Sequence, residues 1–82
     1  MGWKKAVAWL ERLFDRSASR RAREVDALRE VLKLLKRKER RLREDLAGES
    51  RDKRRRSLRK KLEIIRVQRR KGVRLCRDLR RR

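Results

Sequence analysis

The chain has 82 residues, of which 32 are Lys or Arg and 12 are Asp or Glu, so that its net charge is +20. A chain of this length forms at most a small domain, and we expect a single helical domain over residues 1–82 with little core to spare. It has no His, no Tyr and one Cys, which removes the usual catalytic bases, nucleophiles and zinc ligands. We therefore expect no enzymatic activity, no cofactor and no metal site.

The pattern of apolar residues predicts an ordered, all-α protein. A charged fraction of 54% is typical of disordered chains, but the sequence has no Pro and its apolar residues recur at helical spacing. The longest uncharged run covers residues 6–10, too short for a membrane span or for the apolar part of a signal peptide. With a lone Cys, this favours a cytoplasmic protein, with peripheral attachment at the inner face of the membrane as the alternative.

The first predicted helix covers residues 2–16 and is strongly amphipathic. Trp3, Val7, Leu10 and Phe14 share one side, and charged residues occupy the other. Three interpretations remain open: this apolar face packs on the rest of the protein, it binds an anionic membrane or a partner, or it forms a dimer interface. Ser17 and Ser19 follow the helix, and either serine can cap the next one.

The second predicted helix covers residues 20–47 and carries a coiled-coil-like apolar seam. Glu39 interrupts this seam once, and Gly48 is expected to end the helix in a left-handed conformation. The seam consists of Val25, Leu28, Leu32, Leu35, Leu42 and Leu46.

The third predicted helix covers residues 51–80, with Ser50 as its expected cap. Its seam consists of Leu58, Leu62, Ile65, Arg69, Gly72, Cys76 and Leu79. A short turn at residues 48–50 predicts an antiparallel helical hairpin, in which facing positions have numbers that sum to about 100. Glu39 should then face Lys61, and Gly72 should face Leu28. With the first helix added, the fold class is a small three-helix bundle.

A second apolar stripe lies beside the seam and needs a cover. It consists of Ala27, Val31, Leu34, Ile64 and Leu75. The first helix joins the open end of the hairpin, so folding back would lay it along the second helix as far as about residue 33. This arrangement would leave the turn half of the hairpin uncovered.

The turn half is also strongly basic, with 14 basic and 5 acidic residues between positions 36 and 61. Such a field attracts polyanions, and the planar guanidinium of Arg donates paired hydrogen bonds to phosphate. We therefore predict binding of nucleic acid, as structured RNA or a duplex, through the backbone rather than the bases. The predicted contacts are Arg37, Arg40, Arg41, Arg54, Arg55, Arg56, Arg59 and Lys60.

Three other partners are compatible with the sequence. A peripheral membrane protein would insert Trp3, Val7, Leu10 and Phe14 beside anionic headgroups. A helical adaptor would dock on an acidic protein. A homodimer would form a four-helix bundle through the partly exposed stripe.

Overall fold

The computed structural model of the protein describes residues 2–15 and 22–80, which form three α-helices. Helix α1 covers Trp3–Asp15, α2 covers Ala22–Ala47 and α3 covers Asp52–Arg80. The predicted all-α fold and the three helices are confirmed. Residue 16, the candidate caps Ser17 and Ser19, and the predicted start of the second helix at residue 20 lie outside the described residues.

The two long helices form the predicted antiparallel hairpin, and their seams make the core. Leu28, Leu35 and Ile65 are fully buried, and Leu42 and Leu58 are almost fully buried. This burial follows from the three-four spacing, which turns one side of each helix toward the other. Cys76 is also buried, as a small apolar residue of the seam.

The register between α2 and α3 differs from the predicted one at Gly72. A Cβ atom added at Gly72 would lie 2.6 Å from Cδ2 of Leu32 and 3.7 Å from Cδ2 of Leu10. The nearest α2 side chain is thus Leu32, one helical turn from the predicted Leu28. Gly72 provides space for side chains from both other helices, because it has none of its own.

Helix α1 packs its apolar face on the hairpin and runs parallel to α3. Leu10 is fully buried, whereas Trp3 and Phe14 are half-buried against the core. Near the C-terminal end of α1, Nζ of Lys71 lies 6.0 Å from the Phe14 ring centroid. At the other end, Trp3 lines a groove with Ile64. Because Ile64 lies beyond the level of residue 33, α1 extends farther toward the turn than predicted.

The second apolar stripe is only partly covered by α1. Val31 is buried, and Leu34 and Leu75 are half-buried against the core. Ala27 is exposed, and Ile64 keeps 44% of its surface accessible. The prediction that α1 covers the stripe is therefore right for its middle and wrong for Ala27 and Ile64.

The turn between α2 and α3 is built differently from the sequence prediction. Gly48 has no positive φ, so the expected left-handed cap is wrong. Instead, Arg55 Nη1 donates hydrogen bonds to the carbonyls of Leu46, at 2.9 Å, and Glu49, at 2.8 Å. Backbone N–H groups complete the turn, since Gly48 N donates to the Glu44 carbonyl at 3.2 Å and Glu49 N donates to the Leu46 carbonyl at 3.3 Å.

The start of α3 also differs from the prediction, which assigned the cap to Ser50. The Glu49 carboxylate accepts a hydrogen bond from the backbone N–H of Arg51 at 3.2 Å. It also accepts one from Arg51 Nε at 2.8 Å. These bonds hold the pKa of Glu49 below its usual value. Among the described residues, Ser50 makes no such capping bond.

Candidate nucleic-acid interface

An arginine-lined depression runs along the α2–α3 hairpin on the flank of α3 away from α1. It consists of three adjoining hollows, in which Arg66 belongs to the first two and Arg77 to the last two. We call these adjoining hollows together the arginine furrow. Its arginines are Arg43, Arg55, Arg59, Arg66, Arg69, Arg70, Arg74, Arg77 and Arg80.

The furrow is formed because arginines recur at positions three to seven residues apart on α3. Helical steps of about 100° place Arg59, Arg66, Arg70 and Arg77 within one narrow sector of the helix surface. All four are exposed. From Arg59 to Arg77 the helix rises by roughly 27 Å. The row is therefore long enough to meet several phosphates of a duplex, which carries one charge per about 1.7 Å of its axis.

A buried ion pair anchors the floor of the furrow. Glu39 is only 5% exposed, and its Oε1 accepts a hydrogen bond from Arg69 Nη1 at 2.8 Å. Its other carboxylate oxygen accepts one from Arg43. Burial alone would raise the pKa of Glu39, but the hydrogen bonds and charges of Arg69 and Arg43 outweigh burial and lower it. Glu39 is therefore ionised at neutral pH. Its negative charge offsets the charges of Arg69 and Arg43 and leaves those of the exposed furrow arginines uncompensated.

The partners of Glu39 correct one sequence prediction. Lys61, the predicted partner across the hairpin, forms no ion pair with Glu39 among the described contacts, and Arg69 takes this place. Arg43, one helical turn farther along α2, is the second partner. Arg69 keeps its Nε buried without an acceptor among the described residues.

The predicted phosphate contacts do not lie on one surface. Arg59 lines the arginine furrow, whereas its neighbour Lys60 lines a groove on the other flank of α3. Arg37, Arg40, Arg54 and Arg56 are exposed around the turn half of the hairpin. The structure thus brings only Arg55 and Arg59 of the predicted set into the furrow.

Two of the predicted contacts are already engaged within the protein. Arg55 holds the end of α2 through its bonds to Leu46 and Glu49. Arg41 lies 3.5 Å from Asp45 in an exposed ion pair of α2. Such a pair is weak and can exchange for a phosphate, whereas the partly buried Arg55 has a structural role.

Sequence reasoning missed seven furrow arginines as site residues, at positions 43, 66, 69, 70, 74, 77 and 80. The signal was present for three of them, since helical steps place Arg66, Arg70 and Arg77 on the sector that also holds Arg59. A count of charge along the chain favoured the turn, where basic residues are consecutive. Consecutive residues point in different directions on a helix, whereas residues three, four or seven positions apart share a face.

The opposite flank of α3 carries an apolar groove between α1 and α3, with a volume of about 750 Å³. Its apolar lining consists of Trp3, Val7, Ile64 and Val67. Its charged lining is balanced, with two lysines and two glutamates: Lys4, Lys60, Glu11 and Glu63. At its floor, Gln68 is buried and donates a long hydrogen bond of 3.5 Å to Glu11.

The face that was predicted as a membrane anchor is turned largely onto the hairpin. Val7 and Leu10 are buried, and Phe14 is half-buried against the core. Two of the four predicted residues, Trp3 and Val7, line an open surface, the apolar groove. Insertion of this face into a bilayer would require α1 to leave the hairpin.

The described helices include none with a run long and apolar enough to cross a bilayer. In the same residues, no three of the groups that commonly bind metals come together. Comparisons with family models, with curated proteins and with solved structures give no match.

Proposed function

We propose that the protein is a small, non-enzymatic nucleic-acid-binding protein that takes the phosphate backbone of structured RNA or a duplex into the arginine furrow. The observation that carries this proposal is a furrow with nine arginines and two glutamates, Glu39 and Glu63. Arg59, Arg66, Arg70 and Arg77 make the main phosphate contacts. Other exposed basic residues increase the positive electrostatic potential near the turn: Arg37, Arg40, Arg41, Arg54, Arg56 and Lys60.

The cost of the furrow to the free protein supports a bound polyanion. Arg66, Arg70 and Arg74 follow one another at intervals of four residues, where like charges repel across a helical turn. A ligand that binds only the folded state and neutralises these charges stabilises it. Phosphates spaced along a backbone meet this requirement better than a single small anion.

The position of the aromatic residues supports recognition of a backbone rather than of unpaired bases. Binding of single strands commonly uses aromatic side chains as stacking surfaces beside a basic groove. Trp3, Trp9 and Phe14 all belong to α1 and pack against the core. The furrow, on the other flank of α3, has no aromatic residue in its lining. We therefore expect little dependence on base sequence.

The test is the affinity for a duplex RNA at several salt concentrations, for the wild type and two variants. One variant removes two furrow charges, Arg66→Ala with Arg70→Ala. The matched control removes two exposed charges from α1, Lys5→Ala with Arg12→Ala. We expect the furrow variant to reduce the slope of log affinity against log salt by about 2, since each phosphate contact contributes about 1.

The control should change the salt slope by much less, because its residues lie on α1 and away from the furrow. Equal losses in the two variants would mean that net charge alone attracts the RNA and would contradict the proposed site. An affinity that stays flat with salt in the wild type would contradict phosphate binding altogether.

A further inference from the structure

We infer that the apolar groove between α1 and α3 is the contact surface for a second copy of this chain, which makes the protein a homodimer. The groove is an exposed apolar surface that the described chain leaves uncovered. Ile64, at its centre, keeps 44% of its surface accessible. Apolar surface of this kind marks interaction sites more often than isolated exposed residues do.

The charge balance of the groove decides between its conceivable occupants. The chain carries a net charge of +20, yet the groove lining holds two lysines and two glutamates and is neutral. An anionic membrane or an acidic protein would bind better to the basic surfaces elsewhere. A second copy, in contrast, is repelled by those surfaces and can approach closely only at a neutral one.

The arrangement of these charges is also self-complementary. A twofold contact places the same residues on both sides of the interface, so each lysine needs a glutamate in the same patch. Lys4 and Glu11 supply this pair on α1, and Lys60 and Glu63 supply it on α3. Charges of one copy then face opposite charges of the other around a centre of Trp3 and Ile64.

The inferred dimer is compatible with the proposed function but does not depend on it. The groove and the arginine furrow adjoin at Glu63, which lines both. The four main arginines of the furrow lie outside the groove lining, so pairing through the groove leaves them open. If the proposed function holds, one dimer presents two nucleic-acid sites. Failure of RNA binding would leave the inference on dimerisation unaffected.

The experiment is sedimentation equilibrium of the full chain, freed of nucleic acid, from low micromolar to about millimolar concentration. Ile64→Glu introduces a charge at the centre of the groove. Val73→Glu is the matched control, because Val73 is equally exposed, at 45%, and lines the arginine furrow instead. Far-ultraviolet circular dichroism verifies that both variants are folded, as expected for exposed positions.

We expect twice the monomer mass in the wild type at the upper concentrations. We also expect at least a tenfold weaker association for Ile64→Glu and unchanged association for Val73→Glu. A wild type that stays monomeric throughout would overturn the inference. So would a dimer that Ile64→Glu leaves intact, or one that Val73→Glu weakens to the same extent.

Discussion

The two flanks of α3 differ in chemistry although their residues alternate along one helix. Arg66 and Arg70 line the arginine furrow, whereas Ile64 and Val67 line the neutral apolar groove. The charge of +20 is therefore not spread evenly over the molecule. A highly basic chain can thus separate a strongly basic surface from a neutral, apolar one, provided that the helical period sorts its residues.

The largest expected effect comes from a substitution at Gly72, where all three helices pack against one another. Gly72→Leu should destabilise the fold by about 3 kcal/mol, since a side chain there collides with Leu32 and Leu10. It should also displace α1 and so disrupt the apolar groove more than the furrow. Chemical denaturation measures the first effect, and tryptophan emission measures the second.

Gly48→Ala is the control for this glycine, because an added Cβ there would meet only the Glu44 carbonyl at 3.8 Å. Its φ is not positive, so alanine fits without strain. The substitution should leave stability unchanged or raise it slightly. A loss comparable to that of Gly72→Leu would show that the account of these two positions is wrong.

A smaller effect is expected for Glu39→Gln at the floor of the furrow. Replacing the buried carboxylate weakens the bonds from Arg69 and Arg43 and should cost about 2 kcal/mol at neutral pH. Because the pKa of Glu39 is lowered in the folded protein, its stabilisation is complete above its ordinary pKa of 4.5. This stabilisation is lost as the pH falls through the lowered value.

Denaturation at a series of pH values tests this prediction. The difference between the wild type and Glu39→Gln should shrink below pH 4.5. A difference that persists in strong acid would mean that the carboxylate charge is not its source. An unchanged stability at neutral pH would mean that the Glu39 ion pair contributes no net stabilisation.

Arg55→Ala should lower stability by about 1 kcal/mol, because the carbonyls of Leu46 and Glu49 lose a charged donor. Arg56→Ala is the neighbouring control, since Arg56 is exposed whereas Arg55 is half-buried. Thermal unfolding of the two variants separates a structural arginine from a surface one. Equal melting temperatures would contradict the structural role of Arg55.

The smallest effect has the opposite sign. Removing two like charges with Arg66→Ala and Arg70→Ala should raise the stability of the free protein by a few tenths of a kcal/mol at low salt. Added sulfate or phosphate should raise the melting temperature of the wild type more than that of this variant. A stability loss in the variant would mean that the furrow arginines contribute to the fold.

The helices and the hairpin were predictable because each follows from local rules. The spacing of Leu28, Leu35 and Ile65 determines which sides face inward, and a short turn at Gly48 leaves no alternative to an antiparallel pair. Burial of Leu10 likewise follows from the division of α1 into apolar and charged sides.

The axial positions of the helices were less predictable, because periodicity fixes direction around a helix but not displacement along it. A shift of one turn brought Leu32, rather than Leu28, to Gly72. Arg69 then reached Glu39 with its long, flexible side chain, in place of Lys61. The same limitation hid the uncovered Ile64, because its exposure depends on where α1 comes to rest.

The most direct test of the division between the two flanks is a comparison of two equilibria in one salt series. Dimerisation of the free protein and its affinity for duplex RNA are both measured between about 50 and 200 mM salt. Four phosphate contacts predict a roughly hundredfold loss of RNA affinity over this range. Dimerisation should hold or strengthen, because salt screens the repulsion between two +20 chains. A dimer that weakens in parallel with RNA binding would contradict the account, because both contacts would then depend on the same charges.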